Sequence, residues 1–535
     1  MPQPRASESL GRFLERRAAE RPQAAALICD DRPIGLAALL DESRRVAQGL
    51  ADLGIRPGDR VGLWLPNAPA WLALHLACAR LGAVAVAINT RFRSAELTDI
   101  LARSGARLLA LWPDFRHVDF PGILDEVDGA ALAGVEALIA CGGGAPAGER
   151  LRGKPVVPYR SLRDRPAYGG DHGGGPVGSI IFTTSGTTKA PKFVLHDHYS
   201  VIRHAEAVAR DFGYDAPGSV LLQALPLCGV FGFCQAMAAL AGGAVTVMPP
   251  SFAAEEAAAL IERHRVTGFN GTDEMFARLL AVRSAERPFP SLGACFYAAF
   301  NPMLEEIAAE AAGRGLSLSG LYGMSEAQAL FARQRPAAAL AQRARPGGFP
   351  VGADYAVRIR DPESGRLLAA GESGEIELTG PSLMAGYFGD AAATAAALTE
   401  DGWMRTGDAG RLAGDGSFVL EARMGDVLRL GGYLVAPSEI EARIQGFAGI
   451  GGCQVVGVLG ERGPAAVAFV TLQPGAGFDE AALRRFCAAG LARYKVPVRC
   501  VALDAFPTAA SANGTKVQRA RLREMAREIL AAGPE

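Results

Sequence analysis

The sequence predicts an α/β protein: a large N-terminal domain of mixed and parallel sheets flanked by helices, with a β-barrel-like part, followed by a small α+β C-terminal domain. Three observations predict it. Strand and helix patterns alternate over roughly the first 110 residues and again from Gly178 to about Leu330, a rhythm that builds a largely parallel sheet covered on both faces. Residues 357–380, VRIRDPESGRLLAAGESGEIELTG, read instead as hairpin-rich β structure. The last ~110 residues carry a βα rhythm of their own, over a length that suits a small domain. At 535 residues the chain is also too long for a single hydrophobic core.

Taken in order, GRFLERRAAERP (11–22) reads as a helix and DRVGLWLPN (59–67) as a buried strand with a turn. APAWLALHLACARLG (68–82) reads as an amphipathic helix, AVAVAIN (83–89) as a strand, and SAELTDILARSGARLLAL (94–111) as helix then strand. The Gly-, Pro- and Arg-rich stretch from Cys141 to Gly175 reads as a surface excursion. The uncharged run Ala224 to Met248 is long enough to span a bilayer. Pro226 and several glycines interrupt it, so buried interior is the expected place. Further on, GDGSFVLEARMGDVLRLGG (414–432) reads as two strands and a short connector. The C-terminal rhythm runs through SEIEARIQGF, GCQVVGVLG, AAVAFVTLQ, DEAALRRFCAAGLARY and KVQRARLREMAREIL.

Composition removes several function classes. The hydrophobic fraction is 49%, the charged fraction 21% and the net charge −1, which leaves no electrostatic footprint for nucleic acid or an anionic membrane. Neither a nucleic-acid partner nor stable membrane insertion is expected. The charged N-terminus lacks the apolar segment of a signal peptide. Nine scattered cysteines with no CxxC and no metal-ligand spacing fit a reducing, cytoplasmic location. Of 55 basic residues only Lys154, Lys189, Lys192, Lys495 and Lys516 are lysines. Arginine and lysine interchange on a solvated surface but not at a compact anion contact, so Lys192 and Lys516 become candidates for chemistry.

The sharpest local feature is GSIIFTTSGTTKAPKFVLHDH (178–198), a buried strand running into hydroxylated residues around Gly186. Converging N–H and hydroxyl groups hold a phosphate without much net charge, and a nearby lysine adds a point charge. The segment is not a GxxxxGK[ST] loop, and on its own a flexible Ser/Thr connector remains an alternative.

With its neighbours, TTSGTTKAPKFV resembles the TSGTTGxPKG signature of the adenylate-forming superfamily, which holds acyl-CoA synthetases, nonribosomal peptide adenylation domains and luciferases. LYGMSEAQ (321–328) is similar to the YGxTE motif, and GWMRTGDAG (402–410) to the TGD motif. EARMGDVLRLGGYLVAPSEIE (421–441) is similar to the hinge motif, and LARYKVPVRC and NGTKVQRARLRE to the last two. The ordered match spans roughly residues 10 to 525.

The resemblance implies roles residue by residue. Thr184, Ser185, Gly186, Thr187, Thr188 and Lys192 would embrace the ATP phosphates. Tyr322 would lie against adenine, with Gly323 and Met324 beside it, and Ser325 would touch the α-phosphate. Glu326 would hold Mg2+, a hard cation that takes carboxylate and phosphate oxygens. Asp408 would accept from the ribose hydroxyls, with Arg423 nearby. Lys516 would bridge the substrate carboxylate and the α-phosphate as catalytic lysine. Gly425 would be the hinge between residues 1–423 and a mobile domain of residues 424–535. Gly431 and Gly432 would let the backbone approach the pantetheine arm of coenzyme A, or form a simple β-turn.

Departures from the family pattern matter too. Lys189 and Phe193 stand where glycines are usual, Ala422 precedes Arg423 where glycine is typical, and the final motif reads NGTK. In the expected acyl pocket, LPLCGVFGFCQ has Cys228 and Gly229 where Phe and His are common, with Phe231 following, which should widen the cavity. Asp273 and Glu274 either meet a polar substrate or cap the helix they begin, and capping is favoured. The expected activity is an ATP-dependent acid:CoA ligase for a medium-sized, alicyclic or aromatic acid. The alternative is a stand-alone adenylation enzyme loading a separate carrier protein, disfavoured because only 19 residues follow Lys516. A homodimer is compatible with either.

Overall fold

The computed structural model describes residues 8–531 except 116, 144–148, 184–190, 301–305, 431–432, 436, 461–462, 492 and 512–513; for 429, 433–434, 460, 463, 509–511 and 514–516 it describes the backbone alone. Its architecture follows from which strands can be buried on both faces. Val84–Ala87, Leu108–Leu111 and Ala137–Ala140 are short, wholly apolar and wholly buried. Such runs pair in parallel under helices. With Arg60–Leu63 and Gly178–Thr183 they form the parallel heart of a nine-stranded sheet. Phe193–Asp197 and then Gly386–Tyr387 add antiparallel strands at its edge.

A second, thirteen-stranded sheet carries the rest of the large unit. Val220–Leu222, Gly268–Thr272, Ala294–Ala298 and Ser317–Met324 run parallel. From Gln328–Arg333 onward the sheet turns antiparallel, through Gly347–Pro350, Phe418–Arg423, Met404–Leu412, Gly374–Thr379 and Ala356–Arg360. The expected α/β alternation and hairpin region are therefore both present, joined in one sheet.

Two local expectations are corrected. The helix Pro69–Arg80 is not amphipathic: every residue from Trp71 to Arg80 is buried. Neighbouring elements cover it all round, so it behaves as a core helix rather than a surface one. The stretch from Cys141 to Gly175 is not only a surface excursion. Lys154–Pro158 joins the nine-stranded sheet parallel to Ala137–Ala140, and Leu162 in the helix Tyr159–Arg163 packs tightly against Gly49. The run Ala224–Met248 is interior as expected. In its helix, Val230–Gly242, all residues after Val230 are buried, and Phe233 packs edge-on against Trp71, His75 and Phe182. Among the described residues no helix is long and apolar enough to cross a membrane.

Beyond Leu428 the chain builds separate buried clusters. Ile450–Gly460 pairs antiparallel with Gly463–Leu472, and Arg499–Ala502 pairs parallel with the latter. The helices Pro437–Gln445, Glu480–Ala488 and Arg519–Ala531 cover these strands. The Asp479 side chain caps the middle helix by accepting from Ala482 N–H.

Truncating Phe233 to alanine should lower the unfolding free energy by about 3–5 kcal/mol, measured by urea denaturation. A pH effect follows from the four buried histidines His75, His196, His198 and His204. Burial takes His75 down to about 3 and His196, His198 and His204 to about 4, against an ordinary value of 6.5. The unfolded chain therefore binds protons that the native chain refuses. Stability should be full above pH ~6.5 and fall as the pH drops toward ~4, by up to about 1.4 kcal/mol per pH unit for each histidine. Melting curves across that window should lose part of the slope in His75→Phe.

Candidate active site

The site is built where the parallel part of the large sheet ends. Strand Ser317–Met324 leads into a single 3-10 turn, Ser325–Ala327, and the chain returns antiparallel as Gln328–Arg333. The reversal is tight. A Cβ on Gly323 would stand 2.6 Å from the Ala329 Cα, and Gln328 and Leu330 hold positive φ angles of 61° and 66°. Non-glycine residues carry such angles only where the surroundings impose them. The turn is pinned by His196, which donates from Nε2 to the Ser325 carbonyl at 2.7 Å. Burial lowers the pKa of this imidazole to about 4.

This reversal sends the Glu326 side chain inward, where Tyr387 donates its hydroxyl to Oε1 at 2.8 Å. Burial, then the neighbouring Glu326 carboxylate, push the Tyr387 phenol well above its usual range. The Lys192 ammonium lies 4.4 Å from the centre of the same ring.

Four residues before Glu326, buried Tyr322 donates its hydroxyl to Asp408 Oδ2 at 2.6 Å, and its ring meets Phe418 edge-on. Burial, then Asp408, hold this phenol too well above its usual range. Asp408 sits on Met404–Leu412 directly opposite Arg423 on Phe418–Arg423. That register brings Arg423 Nη1 to 3.0 Å from Asp408 Oδ1 and 3.1 Å from the Thr406 carbonyl. Arg423 is also within electrostatic reach of Tyr322 and Glu326, so the two tyrosine–carboxylate pairs share one region.

The structure thus gathers Lys192, Tyr322, Gly323, Met324, Ser325, Glu326, Asp408 and Arg423. Thr184, Ser185, Gly186, Thr187 and Thr188 lie outside the described residues; the strands either side of them are paired, Thr183 opposite Phe193. Gly431 and Gly432 also lie outside. The backbone of Lys516 pairs with Ala509 in the hairpin Thr508–Ser511 and Gly514–Val517, and its side chain is outside the description. Gly425 occupies the turn after Arg423, where a Cβ would meet nothing within 4 Å. Cys228 is buried, its thiol raised by burial to about 11. Gly229 precedes the helix Val230–Gly242 as its N-cap, and Phe231 is buried within it. Asp273 opens the helix Asp273–Ala281, but Thr272 makes the cap, accepting from Met275 N–H. Asp273 instead accepts from the backbone N–H groups of Glu274 and Phe300.

Sequence reasoning missed His196 and Tyr387. The only trace of Tyr387 is a Gly–Tyr pair in MAGYFG, and no local pattern links it to a carboxylate 61 residues away.

Residues 14–388 match the AMP-binding enzyme family and residues 439–513 the AMP-binding enzyme C-terminal domain. The chain is 30% identical to the 3-[(3aS,4S,7aS)-7a-methyl-1,5-dioxo-octahydro-1H-inden-4-yl]propanoyl:CoA ligase of Mycobacterium tuberculosis, covering 96% of this chain and 98% of that protein. It is 31% identical to a feruloyl-CoA synthase of an Amycolatopsis species, covering 94% and 97%. Its fold matches the crystal structure of ATP-bound MatB from Rhodopseudomonas palustris with a TM-score of 0.83 at 24% identity, over 98% of this chain and 100% of that one. The chain belongs to the AMP-binding enzyme family of the adenylate-forming superfamily, on its acyl-CoA synthetase branch.

Tyr322→Phe should remove a hydrogen bond to a buried carboxylate. The expected loss is about 1.5–3 kcal/mol of unfolding free energy, read from urea curves.

Proposed function

We propose that this chain is an ATP-dependent carboxylic acid:CoA ligase that makes an acyl-adenylate and pyrophosphate, then an acyl-CoA thioester and AMP. The observation that carries the reading is the convergence of Glu326, Asp408, Tyr322, Arg423 and Lys192 from separate strands onto one region. A carboxylate is a poor electrophile, and adenylation supplies its leaving group. Lys192 and the hydroxylated loop would hold the β- and γ-phosphates. Tyr322, Gly323 and Met324 would line the adenine, Ser325 would touch the α-phosphate, and Asp408 with Arg423 would hold the ribose. Lys516 would neutralise the meeting of two anions, an oriented charge of the kind that stabilises transition states.

Glu326 suits Mg2+. Tyr387 engages Oε1, no hydrogen bond among the described residues reaches Oε2, and no group of three or more metal-ligating side chains occurs among them. One carboxylate plus substrate phosphates is the usual Mg2+ environment. The ion would supply charge neutralisation of the phosphates.

Residues 424–535 would swing about Gly425 between the two half-reactions. Contacts either side of that residue support the pivot. Arg423 and Met424 N–H bond to the large unit, at Asp408 and the Gly407 carbonyl, whereas Arg523 holds the Gly425 carbonyl and Asp426. Gly431 and Gly432 would then flank the pantetheine arm. A medium-sized, alicyclic or aromatic acid is favoured. Cys228 and Gly229 replace bulkier groups beside Phe231, and the two relatives named above act on bicyclic propanoyl and feruloyl groups.

Pyrophosphate release screened over many acids should be acid-dependent and accelerated by CoA, with acetate a poor substrate. Release that stalls until a phosphopantetheinylated protein is added would indicate a carrier as acceptor. Lys516→Ala should abolish adenylate formation yet spare thioester formation from supplied acyl-adenylate. Equal loss of both steps by rapid quench would refute the swing.

A further inference from the structure

Tyr387 touches two residues of the proposed site that come from different sheets. Its hydroxyl meets Glu326, which follows a strand of the thirteen-stranded sheet, and its ring lies under Lys192, which precedes Phe193–Asp197, the strand next to the edge of the nine-stranded sheet. The backbone around it is clamped to the same two places. Met384 N–H donates to the Glu326 carbonyl at 2.8 Å and Ala385 N–H to the Leu195 carbonyl at 2.8 Å. Tyr387 then pairs with Val194, and Phe388 N–H donates to the Phe193 carbonyl at 2.7 Å.

Gly386, at φ 151°, allows the backbone to turn between those clamps, and Thr394 Oγ1 accepts from Tyr387 N–H at 2.8 Å. The residue is 6% exposed. A buried phenol needs a partner for its hydroxyl, and a ring face attracts an ammonium through its quadrupole. Phenylalanine would keep the ring but leave Glu326 Oε1 without its donor, and an aliphatic residue would lose both contacts.

We infer that Tyr387 is the positioning residue that couples the two halves of the site, aiming Glu326 with its hydroxyl and seating Lys192 on its ring. The assignment rests on the ligase reading, in which Glu326 faces Mg2+ and Lys192 faces the phosphates. Groups that orient a metal ligand commonly change metal affinity about 10-fold or more when removed. The ring contact, at an exposed lysine, is worth about 3-fold.

The test uses the full chain, with Mn2+ followed by electron paramagnetic resonance and α,β-methylene-ATP binding followed by calorimetry. Y387F should weaken Mn2+ half-saturation about 10-fold while leaving analogue affinity at saturating Mn2+ unchanged. Y387M, or Y387I if that variant does not fold, should weaken the analogue about 3-fold as well. In a K192A background that additional loss should vanish. The assignment is overturned if Y387F binds Mn2+ as wild type does, or if the ring variants keep their extra loss without Lys192. Ligand-free melting of Y387F checks that deleting one oxygen has not merely loosened the fold. A wild-type protein that binds neither probe would sink the ligase reading itself; normal wild-type binding with an unaltered Y387F sinks only the role of Tyr387.

Discussion

A carboxylate taken out of water must find its donors inside the protein, and Glu326 and Asp408 both do so through tyrosine hydroxyls. The two pairs are built differently. Tyr322 and Glu326 are four residues apart on one strand and turn, whereas their partners Asp408 and Tyr387 arrive from later strands. Each pair therefore stitches the tight reversal after Ser317–Met324 to another part of the molecule. Losing either hydroxyl would leave a buried acceptor short of a donor as well as remove a contact.

The surroundings accept strain to hold that reversal. Gln328 and Leu330 keep positive φ angles, and Gly323 leaves no room for a side chain against Ala329. His196 and Met384 bond the carbonyls of Ser325 and Glu326, so the turn is held from both sides. Beneath it, the buried helix Val230–Gly242 gives the strands an incompressible floor. Rigid support under a strained turn is what would keep the Glu326 carboxylate within the small positional tolerance of a catalytic site, as the proposed function requires.

The segment after Arg423 has the opposite character. Gly425 is not in the left-handed region and has open space where a Cβ would be, so its present conformation does not demand glycine. Its value would lie in other conformations, since glycine passes through φ/ψ regions closed to other residues. The hydrogen bonds from Asp426 and Val427 N–H to the Arg423 carbonyl are local and would have to break in any rotation there.

The α/β class, the order of elements and most of the candidate site were legible in the sequence because they are local. Apolar runs such as VAVA and LLAL, the hairpin pattern after Val357, and the spaced motifs around Tyr322, Asp408 and Arg423 all lie within short windows. The burial of Pro69–Arg80 on every side was not legible, because a helix's surroundings come from elements distant in sequence. Nor was the use of Asp273, which accepts from the distant Phe300 N–H while Thr272 makes the cap. By itself the sequence singled out the residues proposed for phosphate, ribose and metal binding, because their types and spacing are local. Only the tertiary structure decided that Tyr387 joins Glu326 to Lys192, because which strands of the two sheets come together is set by strand order and register across the whole chain.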